Sequence, residues 1–105
     1  MSAIMQLTIF PLNKGKGSLA PYVARALRVI RESGLPYVLG PMSTSIEGEW
    51  DAVMALATRC QQALALDCDR IHVTMQVDWR DGPSGRLTQK VRAVEERLRT
   101  PKGKC

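Results

Sequence analysis

The stretch GPMSTSIEGEW, residues 40–50, puts Ser43, Thr44, Ser45 and Glu47 within five positions of one another. Three hydroxyls can each donate or accept a hydrogen bond, and a carboxylate accepts the stronger, charge-assisted kind. A chain of 105 residues with one Phe, two Trp and two Tyr has little core material to give up. Small polar groups in such a place suit the convergent donors and acceptors of a small-molecule site. In a regular strand, 43, 45 and 47 share one face while 44 and 46 share the other. One pocket using both Thr44 and Glu47 therefore needs a bend after Pro41 or a junction between subunits. Glu47 also has a plainer use, the support of a helix N-terminus through the dipole.

Other reactive groups are sparse. The three cysteines form no CxxC pair and His72 is the single histidine, so a four-ligand zinc site has no source of ligands. Cys60 falls on an apolar helical stripe and reads as core. Glu47, Asp78 and His72 could belong to an acid/base site, but their spacing matches no catalytic constellation. GKGS at 15–18 is too short for a P-loop, although amides at a helix start can hold a phosphate. The net charge of +5 is concentrated in KGK at 14–16 and RLRTPKGK at 97–104. No aromatic residue is interleaved with the tail's charges, so it reads as a solvated end and no nucleic acid is expected as partner.

The elements that must position these groups follow from periodicity. AIMQLTIF at 3–10 alternates, with Met5, Leu7 and Ile9 on one face and Ile4, Gln6, Thr8 and Phe10 on the other. After a Gly-rich loop, Ser18 suits an N-cap and Pro21 a first helical turn. Val23, Ala26, Leu27 and Ile30 mark that helix, and Gly34 stops it. LPYVLGPM at 35–42 and STSIEG read as two short strands. A second helix from Glu49 carries Val53, Leu56, Ala57, Cys60 and Leu64 on one stripe. RIHVTMQVDW alternates cleanly, with Ile71, Val73, Met75, Val77 and Trp79 opposite His72, Thr74, Gln76 and Asp78. A last helix carries Leu87, Val91, Val94 and Leu98.

The order strand, helix, strand, strand, helix, strand is the split βαβ pattern of an α+β ferredoxin-like βαββαβ sandwich, here with an additional C-terminal helix. One domain over residues 1–98 and a basic tail over 99–105 follow. The first and fourth strands are expected at the sheet centre, with helices on one face and a polar face on the other. An RNA-recognition domain of this topology needs exposed stacking aromatics on the middle strands, where this chain has Thr8, Thr74 and Gln76. No apolar run approaches the ~20 residues of a membrane span, and the N-terminus lacks a signal peptide's basic start. A cytoplasmic protein without membrane partners is expected.

The stretch Tyr37, Leu39, Pro41, Met42, Thr44, Ile46, Glu47, Gly48 resembles the Y-x-L-x-P-M-x-T-x-I/L-E-G core of the YkoF-like thiamine-binding proteins. Upstream, Ser18, Tyr22, Val23 and Ala24 are similar to that family's Ser-x-Ser-x-Tyr-Val-Ala, with Ala20 in place of the second serine. Val77, Asp78 and Arg80 resemble its Ile-Asp-x-Arg. The likeness runs from about residue 3 to 98. It implies a ferredoxin-like fold assembled as homodimers or homotetramers, and binding of thiamine or its hydroxymethylpyrimidine part without catalysis, metal or cofactor.

From that resemblance and from the hydroxyl chemistry of the stretch, the ligand-binding candidates are Glu47, Thr44, Ser43, Ser45, Ser18, Tyr22 and Asp78. Thiamine has an exocyclic amine, ring-nitrogen acceptors and a thiazolium cation. A carboxylate such as Glu47 can take the amine or balance the cation, and hydroxyls can serve the ring edge. Two other readings stand beside this one: a structural or regulatory module whose polar sheet face serves assembly, and an enzyme acting on a small heterocycle.

Overall fold

The computed structural model describes residues 2–12, 17–82 and 85–99. The Gly-rich loop at 13–16 and the tail beyond residue 99 lie outside the described residues. Seven elements follow in order: β1 (Ser2–Pro11), α1 (Ala20–Glu32), β2 (Tyr37–Leu39), β3 (Thr44–Gly48), α2 (Trp50–Ala65), β4 (Ile71–Arg80) and α3 (Arg86–Arg99). This is the ferredoxin-like arrangement that the element order predicts, closed by an extra helix.

The four strands form one antiparallel sheet in the order β2-β3-β1-β4. The expectation for its centre is corrected here. β1 and β3 are central, and β4 is an edge, paired along its whole length with β1 alone. Alternation shows which face a side chain takes but not which strand lies next to it, so the five-residue apolar row of a ten-residue strand is no guide to a central place.

Met5, Leu7 and Ile9 of β1, Ile46 of β3 and the predicted stripe of α2 (Val53, Leu56, Ala57, Cys60, Leu64) are buried with Ala26 and Ile30 of α1. Each large aliphatic side chain removed from water in this way contributes about 1.5–3 kcal/mol. Gly48 is where β3 passes closest to its surroundings: a Cβ there would meet Leu35 and Val53 at 3.2–3.4 Å. Helix α1 starts with Leu19 rather than Ser18 as its N-cap, and Pro21 sits in the first turn. Its end is followed by Gly34 at φ +78°, a left-handed conformation that glycine adopts without steric cost.

Two helices cover one face of the sheet. The other face is polar, carrying Gln6, Thr8, His72, Thr74 and Gln76, and its end near Ser2 and Asp78 is covered by the first turn of α3. Of the apolar stripe of α3, Leu87 is half-buried. Val91, Val94 and Leu98 are 55%, 58% and 79% exposed.

Candidate functional site

The β2–β3 connection turns tightly at Gly40–Ser43, where the Gly40 N–H donates to the Ser43 carbonyl at 2.9 Å. Two bonds tie this turn to β1. Gln6 Nε2 donates to Ser43 Oγ at 2.7 Å, and Thr8 Oγ1 donates to the Met42 carbonyl at 3.1 Å. The turn is thereby held over the C-terminal half of β1 and the start of α1. Beneath it lies a cavity of about 210 Å³. Its walls are apolar: Leu7 and Ile9 from β1, Val23, Leu27 and Ile30 from α1, and Leu39 from β2. Its polar side chains are Thr8 of β1, Ser43 at the end of the turn and Thr44 at the start of β3. Thr44 is 5% exposed and sits opposite Leu7 on one side and Leu39 on the other. Among the described residues, none hydrogen-bonds its side-chain hydroxyl.

A more open groove of about 470 Å³ runs between α1 and β2. It shares Val23, Leu27 and Leu39 with the cavity as a common wall and is flanked by Arg28 and Arg31.

Glu47 lies on the opposite face of β3 from Thr44, as alternation requires. It is 3% exposed beneath the start of α3. Its Oε1 accepts from the backbone N–H groups of Gly85 at 3.2 Å and Leu87 at 3.4 Å, and its Oε2 from that of Arg86 at 3.0 Å. Three donors that a helix start leaves without intrahelical partners are thus satisfied by one carboxylate, and the dipole adds to the attraction. The bend that would bring Glu47 and Thr44 into one pocket is not present: β3 pairs with β1 in unbroken register from Leu7–Thr44 to Ala3–Gly48.

The remaining candidates are dispersed. Ser45 and Asp78 line a shallow groove on the polar face with Ile4, Gln6 and Gln76. Asp78 accepts from Lys90 Nζ at 2.5 Å and lies 3.6 Å from Arg86, and the hydrogen bond from Lys90 holds its carboxyl below the usual carboxylate range. Ser18 Oγ accepts from the Ala20 N–H at 3.1 Å. Tyr22 packs on the core with the Arg25 guanidinium 5.5 Å from its ring centre, and Arg25 is paired with Asp67. The structure therefore brings Ser43 and Thr44 together at the cavity, and places Ser18, Tyr22, Ser45, Glu47 and Asp78 elsewhere.

Arg86 went unread in the sequence. Its guanidinium is buried, with NH2 donating to the Ser2 carbonyl at 3.0 Å and to Ser2 Oγ at 3.3 Å. It locks α3 to the first residues of β1, across 84 positions of chain, and nothing local announces such a contact.

As chemistry, the site is a small apolar cup with hydroxyls at one wall. Burial pushes the Cys60 thiol up to about 11, which keeps it protonated at neutral pH and a poor nucleophile. His72 Nε2 lies 2.9 Å from Thr74 Oγ1, and its ring packs against Phe10, which also borders the cavity. Among the described residues, no three of His, Cys, Asp and Glu converge as a metal site requires.

Fold and site together define a ferredoxin-like α+β domain with a small, mostly apolar cavity at the β2–β3 turn. The profile of the family described as "Thiamine-binding protein" matches residues 5–95, and the chain belongs to that family. A UPF0045 protein of Mycobacterium bovis is 40% identical over 102 residues, covering 96% of this chain and 99% of the relative. The crystal structure of a hypothetical protein from Methanocaldococcus jannaschii superposes with a TM-score of 0.81 at 25% identity, over 90% of this chain and 97% of that one. A Thermotoga maritima structure, put forward as a thiamine biosynthesis/salvage protein, superposes with a TM-score of 0.79 at 22% identity, over 90% and 99% of the two chains.

Proposed function

We propose that the protein binds the aminopyrimidine portion of thiamine, as thiamine or as hydroxymethylpyrimidine, in the cavity under the β2–β3 turn, and does not transform it. One observation carries the reading: Thr44, a residue only 5% exposed, presents at the wall of a mostly apolar cavity a hydroxyl without a protein partner among the described residues. A hydroxyl open to an apolar cavity is a place where a ligand can hydrogen-bond, and the edge of an aminopyrimidine supplies both donors and acceptors to it. The apolar walls match the ring faces. Family membership and the Thermotoga maritima neighbour support the same ligand class. Calorimetric titration with thiamine and hydroxymethylpyrimidine tests it. Saturable binding by the parent that weakens in Thr44→Val is expected, and no binding of thiamine, hydroxymethylpyrimidine or its monophosphate refutes it.

The same reading includes a homodimer or homotetramer. Its support is β4, an edge strand of ten residues with neither proline nor bulge to blunt it. Natural edges are usually protected by such devices, because unpaired N–H and C=O groups recruit another strand. Beside that edge Val73, Met75 and Trp79 are 38%, 44% and 49% exposed on the helix side of the sheet. Antiparallel pairing of two β4 strands is self-complementary about a two-fold axis. A cytoplasmic location belongs to the proposal as well, supported by the buried free thiol of Cys60.

A further inference from the structure

The surroundings of the cavity bear on the charge of what it holds. At about 210 Å³ it is smaller than the roughly 300–1,000 Å³ of sites that enclose a drug-sized ligand. It suits one ring, so any substituent on that ring must extend outward. The groove between α1 and β2 offers a path, since Val23, Leu27 and Leu39 border both spaces. Arg28 and Arg31 stand along it, three residues apart on α1 and so neighbours on the helix surface. The α1 arginine with a carboxylate partner is Arg25, which pairs with Asp67. Among the described residues, Arg28 and Arg31 form no ion pair.

No Asp or Glu lines either the cavity or the groove. The two carboxylates that could balance a cation are committed elsewhere, Glu47 to the amides of α3 and Asp78 to Lys90. A thiazolium leaving the cavity along α1 would meet two guanidinium groups in the groove, whose lining holds no carboxylate. A phosphate on the same path would meet planar donors suited to its oxygens.

We propose that the site takes an anionic, phosphorylated aminopyrimidine, its ring in the cavity and its phosphate on Arg28 and Arg31, in preference to the thiamine cation. This rests on the cavity being the aminopyrimidine site, and the experiment separates the two ideas.

Calorimetry would compare hydroxymethylpyrimidine, its monophosphate and thiamine against the parent and an Arg28→Gln, Arg31→Gln double variant. Both arginines are exposed, so the fold should survive, and far-ultraviolet dichroism checks this. For the parent, the monophosphate should bind roughly ten- to a hundred-fold tighter than the unphosphorylated pyrimidine, and thiamine more weakly than either. That advantage should shrink as salt is raised. In the double variant the monophosphate should fall to the level of the unphosphorylated pyrimidine, whose own affinity should stay within about two-fold, since charges at the groove do not touch the ring. Thiamine binding as tightly as the monophosphate would overturn the proposal while leaving the pyrimidine site intact. So would a phosphate advantage that survives in the double variant. If none of the three compounds binds the parent, the pyrimidine reading fails first and this one with it.

Discussion

Changing Glu47 to Gln separates the two uses of that carboxylate. The side chain keeps its size and loses its charge. Of its two oxygens, one accepts from Gly85 and Leu87 and the other from Arg86. An amide keeps one oxygen and turns an NH₂ toward the remaining N–H. One buried backbone donor is left unpaired, at a cost of about 1–3 kcal/mol, and the attraction of a charge to the helix start, up to about 2 kcal/mol in partly buried geometry, is lost as well. A total of about 2–4 kcal/mol is expected at the junction of α3 with the sheet. How this appears depends on what else holds α3. Past Leu87 its stripe is exposed, so the helix can open locally without unfolding the body. Hydrogen exchange followed by mass spectrometry is therefore the sharper assay. Protection of the amides in residues 86–99 should fall roughly thirty- to several-hundred-fold, while α2 and β1 stay protected. Pyrimidine affinity should change less than about two-fold, because Glu47 and the cavity lie on opposite faces of β3. Unchanged protection of α3 together with a ten-fold or greater loss of ligand affinity would refute the reasoning and restore Glu47 as a ligand group.

Thr44→Val keeps the volume and removes the hydroxyl; ligand affinity should drop by about 1 kcal/mol, with a melting temperature at or slightly above the parent's, as calorimetry and thermal denaturation will show. Met75→Lys puts a charge into the exposed row of β4, a natural device against edge pairing, and should convert the proposed oligomer to a smaller species in sedimentation at tens of micromolar, a scale set by ordinary protein contacts, while the dichroism spectrum persists. Because Lys90 depresses the Asp78 carboxyl, the stability from this pair is present above the ordinary carboxylate range and is lost as pH falls through the depressed value. In Lys90→Ala most of that acid-side loss of α3 protection should disappear from hydrogen exchange measured across a pH series. Cys60, fully buried with its thiol pushed up to about 11, should react with thiol reagents at neutral pH only as fast as the core opens, so its labelling rate should follow denaturant as unfolding does.

Much of this molecule could be read from residue order. The alternation of 3–10 and 71–80 appears as β1 and β4 with the predicted faces, and the stripe Val53, Leu56, Ala57, Cys60, Leu64 is the buried face of α2. The same period of two already set Thr44 and Glu47 on opposite sides of one strand. These are local properties, because the backbone geometry of a strand or helix orients each side chain relative to its near neighbours. What the chain order could not show is which surfaces meet. Glu47 has its use only because residues 85–87, some forty positions later, arrive above it. Arg86 has its use only because Ser2 is beside it. The cavity exists because the turn at 40–43 is tied to Gln6 and Thr8 and so stands over the start of α1. The place of β4 at an edge depends on how strands are ordered across the sheet, which no periodicity records. Each of these is a contact between distant stretches of chain, and tertiary packing alone decides it.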